Sequence, residues 1–293
     1  MSLKPLIPSS LKLGTGEDFK ALSQDERWQH LLTENFNLLT PTNSLKLGRV
    51  AKKTHSLDFN EADWFVDFAD KKNLIVRGHL MVSGRSIPEW LKDMESRQFS
   101  ATIKDYIVQT MRRYPKIIDW DVGGEAFEDN GNLRATILSY HLGANWIQLC
   151  LLWAKEARPD ARLFYSEFKI NRLTKQKSVL KLIEYCRVES IPLDGISVQL
   201  HHNVAGTLKL LGLKGFLRKI QDRKLVTQFT EISLWNHSPS PVRVELRAHA
   251  IAFNELLRMA LVMGIDTFNV WGATDRYAWR LDERSPFLFD SEY

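Results

Sequence analysis

Residues 117–168 read IIDWDVGGEAFEDNGNLRATILSYHLGANWIQLCLLWAKEARPDARLFYSEF, and the order of patterns within this stretch decides the fold. Ile117 to Val122 is a short run rich in apolar, β-branched and aromatic residues, preceded by Pro115 and followed by Gly123-Gly124, which predicts a buried strand. From about Thr136 to Glu156 the residues Tyr140, Gly143, Ile147, Cys150, Leu151 and Ala154 recur at helical spacing. That spacing predicts one helix carrying them on its inner face. Pro159 follows, where a helix-stopping residue belongs. Arg162 to Phe168 then returns to a strand pattern, so the segment is one strand–helix–strand unit.

The same alternation extends in both directions. Asn73 to Val82, Gly195 to Leu200, Leu225 to Ile232 and Thr267 to Trp271 are further strand candidates, with weaker ones at Leu11 to Leu13 and Asn35 to Leu39. A helix is expected over about Val242 to Met263, with Leu246, Ala250, Phe253, Leu257, Ala260 and Leu261 inward and Gly264 after its end. Eight strands alternating with helices in a chain of 293 residues fit an α/β fold of the (β/α)8 TIM-barrel kind better than a doubly wound sheet. No Gly/Pro/Ser-rich linker and no internal repeat divides the chain, so residues 1–293 are expected to form a single domain.

Composition excludes several other classes. The formal charge is +5, but 40 basic residues are spread along the chain and nearly matched by 35 acidic ones. Short runs such as Lys71-Lys72 and Arg112-Arg113 are solvated helix faces rather than a nucleic-acid footprint. Cys150 and Cys186 both fall in helical apolar patterns and are expected as small buried hydrophobes. No HExxH and no Cys/His cluster is present, so neither a metal nor another cofactor is expected. The N-terminus lacks the apolar stretch of a signal peptide, and no run approaches 18 apolar residues, so no membrane partner is expected either. A monomer is the simplest assembly.

In a barrel of this kind the chemistry lies at the C-terminal ends of the strands. The ionisable residues closing the strand runs are Glu125, Glu167, His201, Glu231 and Asp275. Any one of them could be a helix cap or a solvated loop residue. Glu125 and Glu231 read differently, because each directly follows an apolar strand and they lie about three strands apart. Two carboxyl groups facing each other across a cleft are the minimum equipment for glycoside hydrolysis: one protonates the leaving oxygen, the other attacks or positions water.

Seven segments in barrel order then resemble family 10 of the glycoside hydrolases, the family of endo-β-1,4-xylanases. Residues 40–47 are similar to its TPENEMKW segment, 77–84 to RGHTLVWH, 87–91 to QLPSWL and 120–126 to WDVVNEA. Residues 194–201 resemble DGIGLQSH, 230–234 resemble TELDI, and 271–280 resemble WGVTDKYSWR. The resemblance implies a retaining β-glycoside hydrolase acting on an oligosaccharide or polysaccharide, with Glu125 as acid/base and Glu231 as nucleophile. It implies that His201 orients Glu231 and that Gln199 lines the same strand mouth. It further implies that Asn43, Lys46 and His79 bind sugar hydroxyls, while Trp271 and Trp279 wall the sugar faces.

The departures from the family pattern cluster near the expected cleft. The asparagine before the acid/base is Gly124, and the first glutamate of ENEMK is Thr42. The Trp-His pair after RGHTLV is Ser83-Gly84, the aspartate after TEL is Ser233, and NDYN has become residues 166–169. Three readings stand at this level: a glycosidase with an altered glycone site, an ordinary xylanase, and a weak or inactive saccharide-binding relative.

Overall fold

Each strand candidate becomes one strand of a single parallel sheet. In the computed structural model, which describes residues 2–54, 56–204, 210–235, 242–277 and 288–292, these are β1 (Lys12–Glu17), β2 (Leu38–Pro41), β3 (Ile75–Val76) and β4 (Asp119–Gly124). They continue as β5 (Arg162–Phe168), β6 (Gly195–Asn203), β7 (Val226–Trp235) and β8 (Thr267–Val270). The pairing order is β3-β2-β1-β8-β7-β6-β5-β4. Bridges Gly78↔Trp120 and Val82↔Gly123 join the two ends of that order. Across this seam Gly78 N donates to Asp119 O at 3.0 Å and Asp121 N to Gly78 O at 2.8 Å. The seam closes a (β/α)8 barrel, as the alternation predicted.

The expected ten-residue strand at 73–82 survives only as β3 plus those bridges, because Leu80 has φ 38° and interrupts the ladder. The single helix expected from Thr136 to Glu156 is two, Ile137–Leu142 and Trp146–Ala157. Gly143 lies between them at φ 79° and ψ −174°, a conformation essentially reserved to glycine. The break turns Tyr140 away from the core, to 79% exposure, while Ile147, Cys150, Leu151 and Ala154 stay buried. The helix Arg243–Val262 is where it was expected but rotated: His249, Leu256 and Ala260 face inward, and Leu246 and Leu261 are exposed. Histidine carried the burial signal there, its Nε2 meeting Leu234 O at 2.6 Å, and an apolar pattern does not register it. Cys150 and Cys186 are both free and buried. No helix among the described residues is long and apolar enough to cross a membrane.

The lower barrel interior is ionic rather than aliphatic. Arg77, 1% exposed, reaches from beside β3 across the barrel to Asp121 on β4, Ser197 on β6 and Gln228 on β7. Asp119 receives Arg162 at 2.7 Å and Lys12 at 3.0 Å. Such a network fixes the relative heights of the strands, because a buried charge left without its partner is costly.

Candidate active site

Asp121 begins the upper layer. It is wholly buried, and burial, the largest influence on its carboxyl, would raise it. Arg77 and His79 outweigh that and hold it at about 2, so it is an anion at any working pH. Its Oδ2 lies 3.1 Å from His79 Nδ1, which orients the ring so that Nε2 faces Glu231 Oε1 at 3.3 Å. The ring also packs against Trp271, with centroids 4.6 Å apart.

Glu231 stands on β7 directly opposite Gln199 on β6, just past a bulge at Val198/Gln199. Its other oxygen lies 3.4 Å from His201 Nε2, and His201 Nδ1 lies 3.2 Å from Ser233 Oγ. The carboxyl is only 5% exposed. Burial again pushes upward most strongly, but His79, His201 and Lys46 together hold it below the usual carboxylate range. Glu231 is therefore a buried anion with an imidazole nitrogen near each oxygen: His201 bonds Oε2, while His79 lies 3.3 Å from Oε1 outside hydrogen-bonding geometry and acts through its charge.

Glu125 is the first residue after β4 and adopts φ 58°, a left-handed backbone that costs a non-glycine residue on the order of 1 kcal/mol. Its N–H donates to Ser166 O at 2.9 Å, which turns the chain and aims the side chain over the strand ends. Gln199 Nε2 donates to its Oε1 at 3.4 Å and to Ser166 Oγ at 3.0 Å. Arg85 Nε lies 3.2 Å from Oε2.

Both glutamates open into one cleft of about 1220 Å³, also lined by Asn43, Lys46, Gln199, His201 and Trp271. Lys46 donates to Asn43 Oδ1 at 3.2 Å. Its ammonium is pushed below the usual lysine range by burial, against the opposing pull of Glu231 and Glu125. Of the other expected sugar contacts, His79 is 0% exposed and lies beneath Glu231 instead of lining the cleft. Trp279 lies outside the described residues. Glu167, expected at the mouth, points away from it, into a buried cluster with Tyr165 at 2.6 Å and Lys175 at 2.9 Å. Asp275 sits in a 3-10 turn whose neighbours Thr274 and Arg276 line the cleft.

Several lining residues escaped the sequence reading, and three of them bear on the chemistry. Trp235 lies on the same face of β7 as Glu231 and Ser233, so period-two alternation was the available signal. Glu17 ends β1, which runs four residues beyond the expected strand. Burial pushes its carboxyl up to about 7 despite hydrogen bonds from Thr15 at 2.6 Å and Trp28 Nε1 at 3.1 Å. Arg85 follows the Ser83-Gly84 departure and was hidden by it. Gly124 is also explained: a Cβ there would lie 2.3 Å from the backbone oxygen of Ser166, because β4 and β5 approach closely at that pair.

Comparison with known proteins agrees with this architecture. The family model described as Glycosyl hydrolase family 10 matches residues 2–293. Beta-1,4-xylanase of Dictyoglomus thermophilum is 30% identical over 288 residues, covering 91% of this chain and 81% of that protein. Endo-1,4-beta-xylanase B of Thermotoga neapolitana is 28% identical over 269 residues, covering 90% and 78% respectively. Among solved structures, xylanase 10B of Thermotoga petrophila in complex with xylobiose superposes with a TM-score of 0.94 at 26% identity, covering 100% of this chain and 93% of that one.

Proposed function

The chain belongs to glycosyl hydrolase family 10, and from that premise we propose that it hydrolyses β-glycosidic bonds with retention of configuration. Glu231 is the nucleophile and Glu125 the acid/base. The observation that carries this reading is the setting of Glu231, a buried carboxyl with imidazole nitrogens of His79 and His201 3.3 and 3.4 Å from its two oxygens, opening into the same cleft as Glu125. A retaining enzyme needs that anion to attack the anomeric carbon, while a second carboxyl protonates the leaving oxygen and later activates water.

The roles divide by position. His201, braced by Ser233, orients one oxygen of Glu231, and His79, held by Asp121, sets the electrostatic field at the other. Gln199 joins the two reacting sides, since it pairs in register with Glu231 and donates to Glu125. Asn43, Lys46 and Trp271 supply polar and apolar contacts to the sugar. The glycone site is altered: Gly124 carries no amide, Thr42 no carboxylate, and Ser83-Gly84 neither an aromatic wall nor an imidazole. The relatives' names point to β-1,4-xylan-type backbones as the substrate class.

The test is product analysis on a panel of aryl β-glycosides and β-linked polysaccharides, with product configuration followed by NMR. New reducing ends that first appear as the β-anomer support the reading. Saccharide binding without any turnover would instead favour the weak or inactive relative.

A further inference from the structure

Arg85 stands out among the cations of the cleft. Among the described residues five line it: Lys20, Lys46, Arg85, Lys169 and Arg276. Lys169 is paired with Asp129 at 2.9 Å, and Lys46 is drawn to Asn43 at 3.2 Å. Arg85 is 61% exposed along its side chain, and the carboxylate beside it is Glu125, the group that must serve the leaving oxygen. The contact is loose. Nε stands 3.2 Å from Glu125 Oε2, yet that oxygen has no hydrogen bond, so the guanidinium approaches off the bonding line.

The arginine is nevertheless held in place. Its guanidinium carbon lies 4.8 Å from the centroid of the Phe168 ring, a cation–π contact that keeps the head group over the cleft. Gly84 lets the loop press onto Thr136, since a Cβ at 84 would lie 2.5 Å from the Thr136 methyl group. A planar fork, positioned by a cation–π contact and only loosely engaged, is suited to grip a carboxylate with two parallel hydrogen bonds.

We propose that Arg85 leaves Glu125 for a carboxylate on the substrate, so that the cleft selects β-glycosides carrying an acidic sugar beside the bond to be cleaved. The exchange answers both requirements: the substrate anion is recognised, and Glu125 Oε2 is released to face the leaving oxygen. The proposal rests on reading Glu125 as the acid/base. Its recognition half can be measured without turnover.

The experiment compares binding of plain xylotetraose with xylotetraoses bearing one glucuronate on each internal residue in turn. Calorimetry is run on Glu231→Gln protein, in which hydrolysis is stopped. At least one acidic ligand should bind tenfold or more tighter than the neutral one. Arg85→Gln should bring that ratio to within about twofold, and Arg85→Lys, which keeps the charge but loses the fork, should cut it at least threefold. No preference with Arg85 intact, or a preference that either variant leaves unchanged, overturns the proposal. Continued hydrolysis by Glu231→Gln would sink the catalytic reading while leaving this ratio readable.

Discussion

Ser233 Oγ lies 3.2 Å from His201 Nδ1, on the opposite edge of the ring from the nitrogen that faces Glu231. Where the family pattern has a carboxylate, this chain thus keeps the geometry of support but not its charge. The hydroxyl can orient the imidazole, yet it does not draw a proton onto it as an anion would. Ser233→Ala should therefore cost one hydrogen bond of about 1 kcal/mol, a roughly fivefold loss felt mainly in kcat. Steady-state kinetics on an aryl β-glycoside will show it. An unchanged kcat would mean that His201 is held by other contacts.

The proposed catalytic pair predicts two unlike defects. Glu231→Ala should lower turnover by about 10⁴-fold or more, because no other group can form the covalent intermediate. Azide should restore cleavage with inverted product, since the vacated space lies on the face from which Glu231 attacks. Glu125→Ala should harm substrates with poor leaving groups far more than nitrophenyl glycosides, because only the former need a proton. Near-wild-type rates in both variants would overturn the assignment.

Most of the fold was legible in the sequence because every strand kept its apolar run between turn residues. Arg162–Phe168 was read to the residue, and the barrel followed from alternation alone. Boundaries failed where one residue's backbone decided the outcome, as at Leu80 with φ 38° and Gly143 with φ 79°. In the site, strand-end carboxyls were visible, but their partners were not. Nothing local distinguishes Glu167, which faces Lys175 in the core, from Glu231, which faces the cleft. Arg85 could not be found either, since its meaning lies in Phe168 and Glu125, distant in sequence.

Glu17 makes stability depend on pH. Its folded carboxyl is raised from 4.5 to about 7, so between these values the folded state binds more proton than the unfolded one. The contribution is therefore fully present below about pH 4.5 and is lost as pH rises toward and through 7. The interval from 4.5 to about 7 corresponds to at most about 3.4 kcal/mol, or up to roughly 10 °C in Tm. Glu17→Gln mimics the neutral acid and keeps bonding capacity toward Thr15 and Trp28. Melting at pH 5 and pH 8 should show the variant gaining on the wild type as pH rises. Parallel pH profiles would contradict a buried neutral carboxyl.

Gly124 predicts that restoring the family's asparagine is not a simple gain. Any Cβ at this position meets Ser166 O at 2.3 Å, a backbone atom that moves only if β4 and β5 separate. Gly124→Ala should cost about 1–3 kcal/mol through overpacking, seen as a drop of several degrees in Tm. Gly124→Asn should lose stability comparably, and it should shift Glu125, whose N–H bonds that same oxygen. A Gly124→Asn protein with unchanged Tm and higher activity on xylan would show that the strands can adapt.

The substrate prediction sets the relatives' names against this chain's own cleft. The relatives, 28–30% identical, are xylanases, but identity of that order reflects mostly the barrel that both must build. Around the proposed cleavage point the chain has Gly124, Thr42 and Ser83-Gly84 where the family pattern has hydrogen-bonding or aromatic side chains. A hydrogen bond that strengthens in the transition state lowers kcat when it is lost, so tighter binding elsewhere cannot replace it. Loss of one such donor is worth roughly 2.7–4 kcal/mol, or 10²–10³ in rate. Unsubstituted β-1,4-xylan should accordingly be a poor substrate in kcat as well as KM, and a bulkier or substituted β-glycoside should be turned over faster. Reducing-sugar assays on unsubstituted and substituted xylans under identical conditions make the comparison. Turnover of plain xylan at about 10 s⁻¹, an ordinary enzyme rate, would show that the altered positions carry no penalty.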